Sequence, residues 1–385
     1  MEYFLNEQQK TIKGLARRIA EERIVPVRAE LDEKEEFPWE ITKELANADM
    51  FRVFIPQEYE GLGGGCLDLC LVVEELSRAC GGVAISYAAD ALGCLPMIHH
   101  GSEEQKSRYL PAVASGKRLT AFALTESTAG SDASNIRTTA TRERGHYVLN
   151  GTKQFVTNGG AAEIYTVIAM TDPTRGSRGA SALIVEKDTP GFSFGKKEKK
   201  MGIRASATRE LVFRDCRVPE ANLIGKEGQG FIISMRTVDR SRPGVAAQAV
   251  GIAQGALEAA VEYARQRVQF GHPVSSLQAV QHMLASMAIE LEAARAMVYA
   301  VARTIDSGAK NFTEVAGMAK VFASDMAMRV TTDALQIFGG VGYMRDYPIE
   351  KMMRDAKITQ IYEGTNQVLR NAIALELMKR KAKRP

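Results

Sequence analysis

Apolar residues recur at helical spacing from near the start of the chain. Leu5, Ile12, Leu15, Ile19 and Val25 precede Pro26, and Leu69, Val72, Val73 and Leu76 form a second stripe. Pro38, Pro56 and Gly61-Leu62-Gly63-Gly64-Gly65 interrupt the pattern. From about residue 119 the period shortens to that of strands, in Tyr147-Val148-Leu149, Tyr165-Thr166-Val167-Ile168, Ala182-Leu183-Ile184-Val185 and Leu211-Val212-Phe213. Asn150-Gly151, Asn158-Gly159-Gly160, Asp172-Pro173 and Pro190-Gly191 read as the turns between them. Helical spacing returns near residue 231. Val245, Ala249, Ile252, Ala253, Ala256, Leu257, Ala260 and Val261 trace one stripe, and Met283, Leu284, Met287, Leu291, Ala294 and Val298 another. Small residues and methionines on such faces let long helices pack closely, so the Met stripe is read as core. The pattern predicts an α+β chain in three domains: all-α over 1–118, a β-barrel or sandwich over 119–230, and a four-helix bundle over 231–385.

The composition, 45% hydrophobic and 25% charged over 385 residues, is that of a globular chain with room for such cores. A net charge of +4 lacks the dense basic stripe of a nucleic-acid binder. The Lys379–Arg384 basic run reads as a solvated helix end. Cys66, Cys70, Cys80, Cys94 and Cys216 are an odd set without secretory spacing, which points to free thiols in a cytoplasmic, reducing compartment. Cys66 and Cys70 with His99 and His100 are read as packing rather than as a metal site. Residues 1–10 read as the start of an amphipathic helix and not as a leader, and no apolar run is expected to span or insert into a membrane. The Rossmann glycine fingerprint, the P-loop and the G-x-S-x-G elbow are all absent from the sequence.

Three short segments carry chemistry. Ile361-Tyr362-Glu363-Gly364-Thr365-Asn366-Gln367 sets a carboxylate between an aromatic ring and a glycine, ahead of an apolar helix. Burial there raises a carboxylate pKa, and a base tuned to roughly 6 to 7 can remove a carbon-bound proton near neutral pH. The same residues also spell a helix N-terminus, with Thr365 as cap and Glu363 facing the dipole. Phe122-Ala123-Leu124-Thr125-Glu126 leads into Ala129-Gly130-Ser131-Asp132, and Gln154-Phe155-Val156-Thr157-Asn158-Gly159-Gly160 follows. Each pairs an aromatic face with a threonine and nearby glycines, as a planar heterocycle requires.

Taken together these motifs resemble the acyl-CoA dehydrogenases, flavoproteins that introduce the α,β double bond of acyl-CoA thioesters, over residues 3 to 378. The resemblance implies FAD as cofactor, with Thr125 and Thr157 at the flavin edge, Phe122, Leu124 and Phe155 around the ring, and Thr365 and Gln367 completing the shell. It implies that Gly130 and Ser131 lie near the pyrophosphate and pantetheine, and that Tyr362 and Gly364 flank the substrate. Arg267-Val268-Gln269-Phe270-Gly271 resembles the clamp on the adenine half of FAD. Gln336-Ile337-Phe338-Gly339-Gly340 resembles its partner from a neighbouring subunit, within a homotetramer. Asp239 and Arg242, read at the start of a long helix, would contact coenzyme A.

Some branches of the family carry their base on that helix, immediately before the equivalent arginine. Here Ser241 fills the position and Glu363 is left as the base, the arrangement of the short- and medium-chain branch. Implied with it are proton abstraction by Glu363, hydride transfer to flavin, a trans-2-enoyl-CoA product, an oxyanion hole of the Glu363 N–H and a ribityl hydroxyl, and electron-transferring flavoprotein as acceptor. An oxygen-using relative and a scaffold that has lost its flavin are the alternatives. Asp90, an acid in the apolar run Val83–Gly93, is expected either to face water or bond Ser86 or Tyr87, or to reach the acyl pocket and favour an alicyclic, cyclohexane-carboxyl-type thioester.

Overall fold

The computed structural model describes residues 3–382, with side chains to residue 379, so Met1, Glu2 and most of the terminal basic run lie outside the described residues. The first helix, α1 (Glu7–Ile19), starts later than the sequence pattern suggested, because the Asn6 side chain caps it by accepting from the Gln9 N–H at 2.8 Å. A π-turn carries the chain past Val25, which stays exposed, to α2 (Arg28–Lys34) and α3 (Trp39–Asn47). Two longer helices follow, α4 (Cys66–Ala79) and α5 (Gly81–His100), and then α6 (Glu103–Ala114).

The middle of the chain forms β1 (Thr120–Ala123), β2 (Thr139–Glu143), β3 (His146–Thr157), β4 (Ile164–Met170), β5 (Ala180–Glu186), β6 (Phe192–Lys197), β7 (Thr208–Pro219) and β8 (Leu223–Ile224). They make one sheet in the order β6-β7-β3-β2-β4-β5-β8, with β1 added in parallel to β4. Asn150-Gly151 is not a turn. It is a register break inside β3, where Gly151 adopts φ 148° and a Cβ would lie 2.5 Å from the Thr138 hydroxyl. A second break, between Lys153 and Val156, puts Phe155 at φ 56° and turns its ring outward, 60% exposed.

The last third is helical: α7 (Gly230–Gln266), the short ribbon β9 (Val268–Gln269) and β10 (His272–Pro273), α8 (Gln278–Asp306), α9 (Thr313–Phe338), α10 (Ile349–Ile358) and α11 (Asn366–Ala382). Ala246, Ala249, Val250 and Ala253 bury the face of α7 against α4 and α9, whereas Val261, counted in the apolar stripe, is exposed. Contrary to expectation, α5 and α7 are long and apolar enough to cross a membrane. Their apolar windows are 78% and 72% buried by the other elements, which accounts for that composition as a core.

Candidate active site

Where α5, α7, the β1 and β3 ends and the α10–α11 loop meet, they enclose a cavity of about 420 Å³. One wall is apolar, formed by Ile85, Ala88, Ala89 and Leu92 from α5. A second is the stripe Phe231, Met235, Val238 and Arg242 on α7, whose spacing was legible in the sequence although its role as a wall was not. The third comes from the β domain and includes Phe122, Leu124, Thr125, Phe155 and Thr157, with Gly130 and Ser131 at its rim. Tyr362, Glu363 and Gly364 close the floor.

Glu363 has φ 51° and Gly364 φ 93°, a left-handed pair that turns the chain between α10 and α11 and presents the carboxylate to the cavity. The Ser241 hydroxyl donates to Glu363 Oε2 at 2.5 Å, so the helix position read in the sequence as an alternative place for a base touches the Glu363 carboxylate. Burial pushes the Glu363 pKa up, opposed by the Ser241 hydroxyl and by the charges of Arg242 and Lys320. The Tyr362 hydroxyl donates to Gln248 Oε1, and Gln248 Nε2 donates to the Gly81 carbonyl at 3.0 Å, which fixes the ring beside Glu363.

Two of the expected substrate residues are placed differently. Asp239 and Arg242 lie well inside α7 and not at its start, because the helix already begins at Gly230. Asp239 lies outside the cavity lining, accepting from Arg242 and, at 2.6 Å, from the Thr313 hydroxyl. Arg242 does line the cavity, and its Nε also donates to the Glu363 carbonyl at 3.4 Å.

Asp90 is the larger correction, since it neither faces water nor lines the cavity, nor does its carboxylate bond Ser86 or Tyr87. It is buried at the seam between α5 and the sheet, where Oδ1 accepts the Thr120 N–H at 2.6 Å and Oδ2 faces the Asn158 amide at 3.4 Å. Burial pushes its pKa well up, against those two hydrogen bonds. Asp90→Ala is therefore expected to cost about 1–3 kcal/mol of stability by stranding the Thr120 N–H, without changing acyl preference. Denaturant midpoints and turnover on butyryl-, octanoyl- and cyclohexanecarboxyl-CoA check both halves; an altered preference at unchanged stability would contradict it.

The β-domain wall suits a flat heteroaromatic ring. Phe155 offers an exposed face, Gly130 has open space around its Cα, and the Gln154 N–H to Thr125 carbonyl bond of 2.8 Å holds the two motif segments side by side. The hydroxyls of Thr125 and Thr157 have no protein partner among the described residues and remain available at a ring edge. Beneath this wall, the fully buried Lys153 donates to Glu126 at 2.7 Å and to the Leu124 carbonyl at 3.0 Å. Glu126 also accepts the Arg137 and Thr138 N–H groups, at 2.7 and 3.1 Å. Burial lowers the Lys153 pKa to about 8 even with Glu126 opposing it.

Thr365 and Gln367 lie outside the cavity, and Thr365 Oγ1 accepts the Val368 N–H at 3.2 Å as the cap of α11. Arg267, Phe270, Gln336, Ile337, Gly339 and Gly340 are also outside the cavity. A Tyr263–Phe338 ring stack at 4.2 Å brings the C-terminal ends of α7 and α9, which carry those segments, to the same end of the bundle.

The chain matches three family models in succession: the acyl-CoA dehydrogenase N-terminal domain over residues 6–117, the middle domain over 121–216 and the C-terminal domain over 228–378. It is 46% identical to a short-chain-specific acyl-CoA dehydrogenase of Clostridium acetobutylicum, covering 97% of this chain and 99% of that one. It superposes on the butyryl-CoA dehydrogenase of Megasphaera elsdenii with a TM-score of 0.96 at 47% identity, over 98% of this chain and 100% of the other. A chain from the structure of the electron transferring flavoprotein of Acidaminococcus fermentans, described in connection with flavin-based electron bifurcation, gives 0.96 at 50% identity, over 98% and 99%. The cavity, the carboxylate on its floor, the ring-binding wall and these matches lead to one conclusion: the chain belongs to the acyl-CoA dehydrogenase family and takes FAD as its cofactor.

Proposed function

We propose that this enzyme dehydrogenates short, straight-chain acyl-CoA thioesters to trans-2-enoyl-CoA, with Glu363 as the base. The observation that carries this reading is the Glu363 carboxylate, held by Ser241 in the same cavity that Phe155 and Thr157 line. The apolar α5 wall takes the acyl chain, and Gly130 and Ser131 at the rim pass the pantetheine outward. Glu363 accepts the α proton, and its backbone N–H donates to the thioester oxygen as negative charge develops there. FAD, when bound, supplies the acceptor for the β hydride. Phe122, Leu124, Thr125, Phe155 and Thr157 orient its ring, and the walls exclude water. The preference for short chains is supported by the short-chain relatives. With Asp90 turned into the domain seam, the alicyclic reading loses the residue on which it rested.

The reduced enzyme passes its electrons to an electron transferring flavoprotein, a partner supported by the Acidaminococcus structure. Phe270 and Tyr343, 88% and 76% exposed, suit burial between subunits of a homotetramer, in which Arg267, Phe270 and Gln336–Gly340 act on FAD across an interface. Five free cysteines fit a cytoplasmic setting. The test is turnover of butyryl-, octanoyl- and cyclohexanecarboxyl-CoA by FAD-loaded enzyme with an artificial acceptor dye. Highest kcat/KM on butyryl-CoA is expected. No acyl-CoA turnover, or stoichiometric oxygen consumption without the dye, would overturn the assignment.

A further inference from the structure

The loop that carries Glu363 is held against α9 by a cluster of polar groups of which only Asn366 and Gly364 belong to a sequence motif, and whose centre, Lys320 and Asn366, is buried. Asp325 on α9 gathers both ends of the loop: Oδ1 accepts from Gln360 Nε2 at 2.6 Å and from Asn366 Nδ2 at 2.8 Å, and Oδ2 accepts from Arg370 at 2.5 Å. The Asn366 N–H closes the loop on the Gln360 carbonyl at 3.0 Å. Between these anchors, Lys320 reaches the crest. Its Nζ donates to the Gly364 carbonyl at 2.8 Å and to Asn366 Oδ1 at 3.0 Å.

Lys320 is 0% exposed, and no carboxylate lies within ion-pair distance of it among the described residues. A buried ammonium that spends its donors on two neutral acceptors is costly to a fold, so its place next to the base needs a reason. We propose that Lys320 is a positioning residue for Glu363: its ammonium holds the Gly364 carbonyl, fixing the left-handed turn that aims the carboxylate, and its charge keeps that carboxylate ionised. This rests on Glu363 being the base.

The electrostatic surroundings agree in sign. Glu363 is faced by Ser241 and Arg242 from α7 and by Lys320 from α9, Asp132 is the other acid that lines the cavity, and α5 contributes only apolar residues to the lining. Arg242 is shared with Asp239. Lys320 is faced by Glu363, Arg242 and Asp325, and Asp325 is engaged by Arg370. Burial lowers the Lys320 pKa to about 7, with Glu363 opposing. Lys320 is therefore a cation below neutral pH, the range in which a carboxylate of raised pKa takes up a proton.

The test uses FAD-loaded Lys320→Met and Lys320→Gln and reads kcat/KM for butyryl-CoA against pH. Both variants lose the charge, while Gln keeps a donor for the Gly364 carbonyl and tolerates a polar site if Met does not fold. Both are expected to move the acid limb up by about one pH unit, a tenfold loss of rate below it. The alkaline plateau should fall further in Met than in Gln. A residue that only supports the fold would change the plateau or the stability and leave the limb in place. An acid limb within about 0.2 pH unit of wild type in the FAD-loaded variants overturns the proposal, on the same pKa scale. Glu363→Gln separates the two claims. If it retains wild-type turnover, the base assignment fails and the role of Lys320 falls with it; if it is inactive while the Lys320 variants keep the wild-type limb, only the Lys320 proposal falls.

Discussion

Glu363→Gln is expected to lower kcat by roughly 10²- to 10⁴-fold, the contribution of a positioned general base, with FAD still bound. The amide keeps the shape of the carboxylate but cannot accept the α proton, and the wall proposed to hold the ring comes from β1, β3 and the residues that follow β1. The pH dependence supplies a second reading. Because burial raises the Glu363 pKa, wild-type kcat/KM should fall as the pH drops through that raised value, where the carboxylate becomes protonated. The variant should show a low rate without that limb. Turnover above about a tenth of wild type, against the fold-loss anticipated, would remove Glu363 from the role of base.

Lys153→Met should have the largest effect on stability, because it leaves the buried Glu126 carboxylate without its cation. Breaking a buried ion pair from one side costs about 3–5 kcal/mol. Glu126 keeps its two backbone donors, yet the charge stays in a dry site. Adding Glu126→Gln should recover a substantial part of the loss, since the charge is then gone as well. Denaturant unfolding of the FAD-loaded single and double variants measures both. If the single variant loses under about 1 kcal/mol, the value typical of an exposed pair, the linkage is not structural.

The succession of helical, strand and helical periods anticipated the helical, β, helical order of the fold, since each element is amphipathic at its own period and the core lies on the face that the period marks. Departures arose where one residue's local conformation overrode its usual meaning. Asn150-Gly151 reads as a turn, but Thr138 packs against it and holds it within a continuous strand. Val261 continues an apolar stripe to a point on α7 where the neighbouring helix no longer covers it. Site residues were legible when their chemistry sat inside a compact motif, as with Glu363 between Tyr362 and Gly364. They were obscure when their partners lie far along the chain. Asp90 looks like an acid lost in an apolar helix because Thr120 and Asn158, which satisfy it, are distant in sequence. Lys320 looks like a solvent-facing lysine until α11 folds over it, and Ser241 marks the absence of a carboxylate on α7 without revealing that it touches Glu363.

The Asp90 seam has a mechanical consequence. The Asp90 carbonyl also accepts from the Thr120 hydroxyl at 2.6 Å, the Gly93 carbonyl accepts from Thr166 at 3.0 Å, and Asn158 Nδ2 donates to the Ser86 carbonyl at 2.9 Å. These ties rivet the helix that forms the apolar wall of the cavity to the β domain that forms the wall facing it in the proposed function, across a buried joint. The gauge between the two walls is thus cut when the chain folds and does not wait for a ligand, so under the proposed function the reach between substrate and cofactor would be inherited from the scaffold.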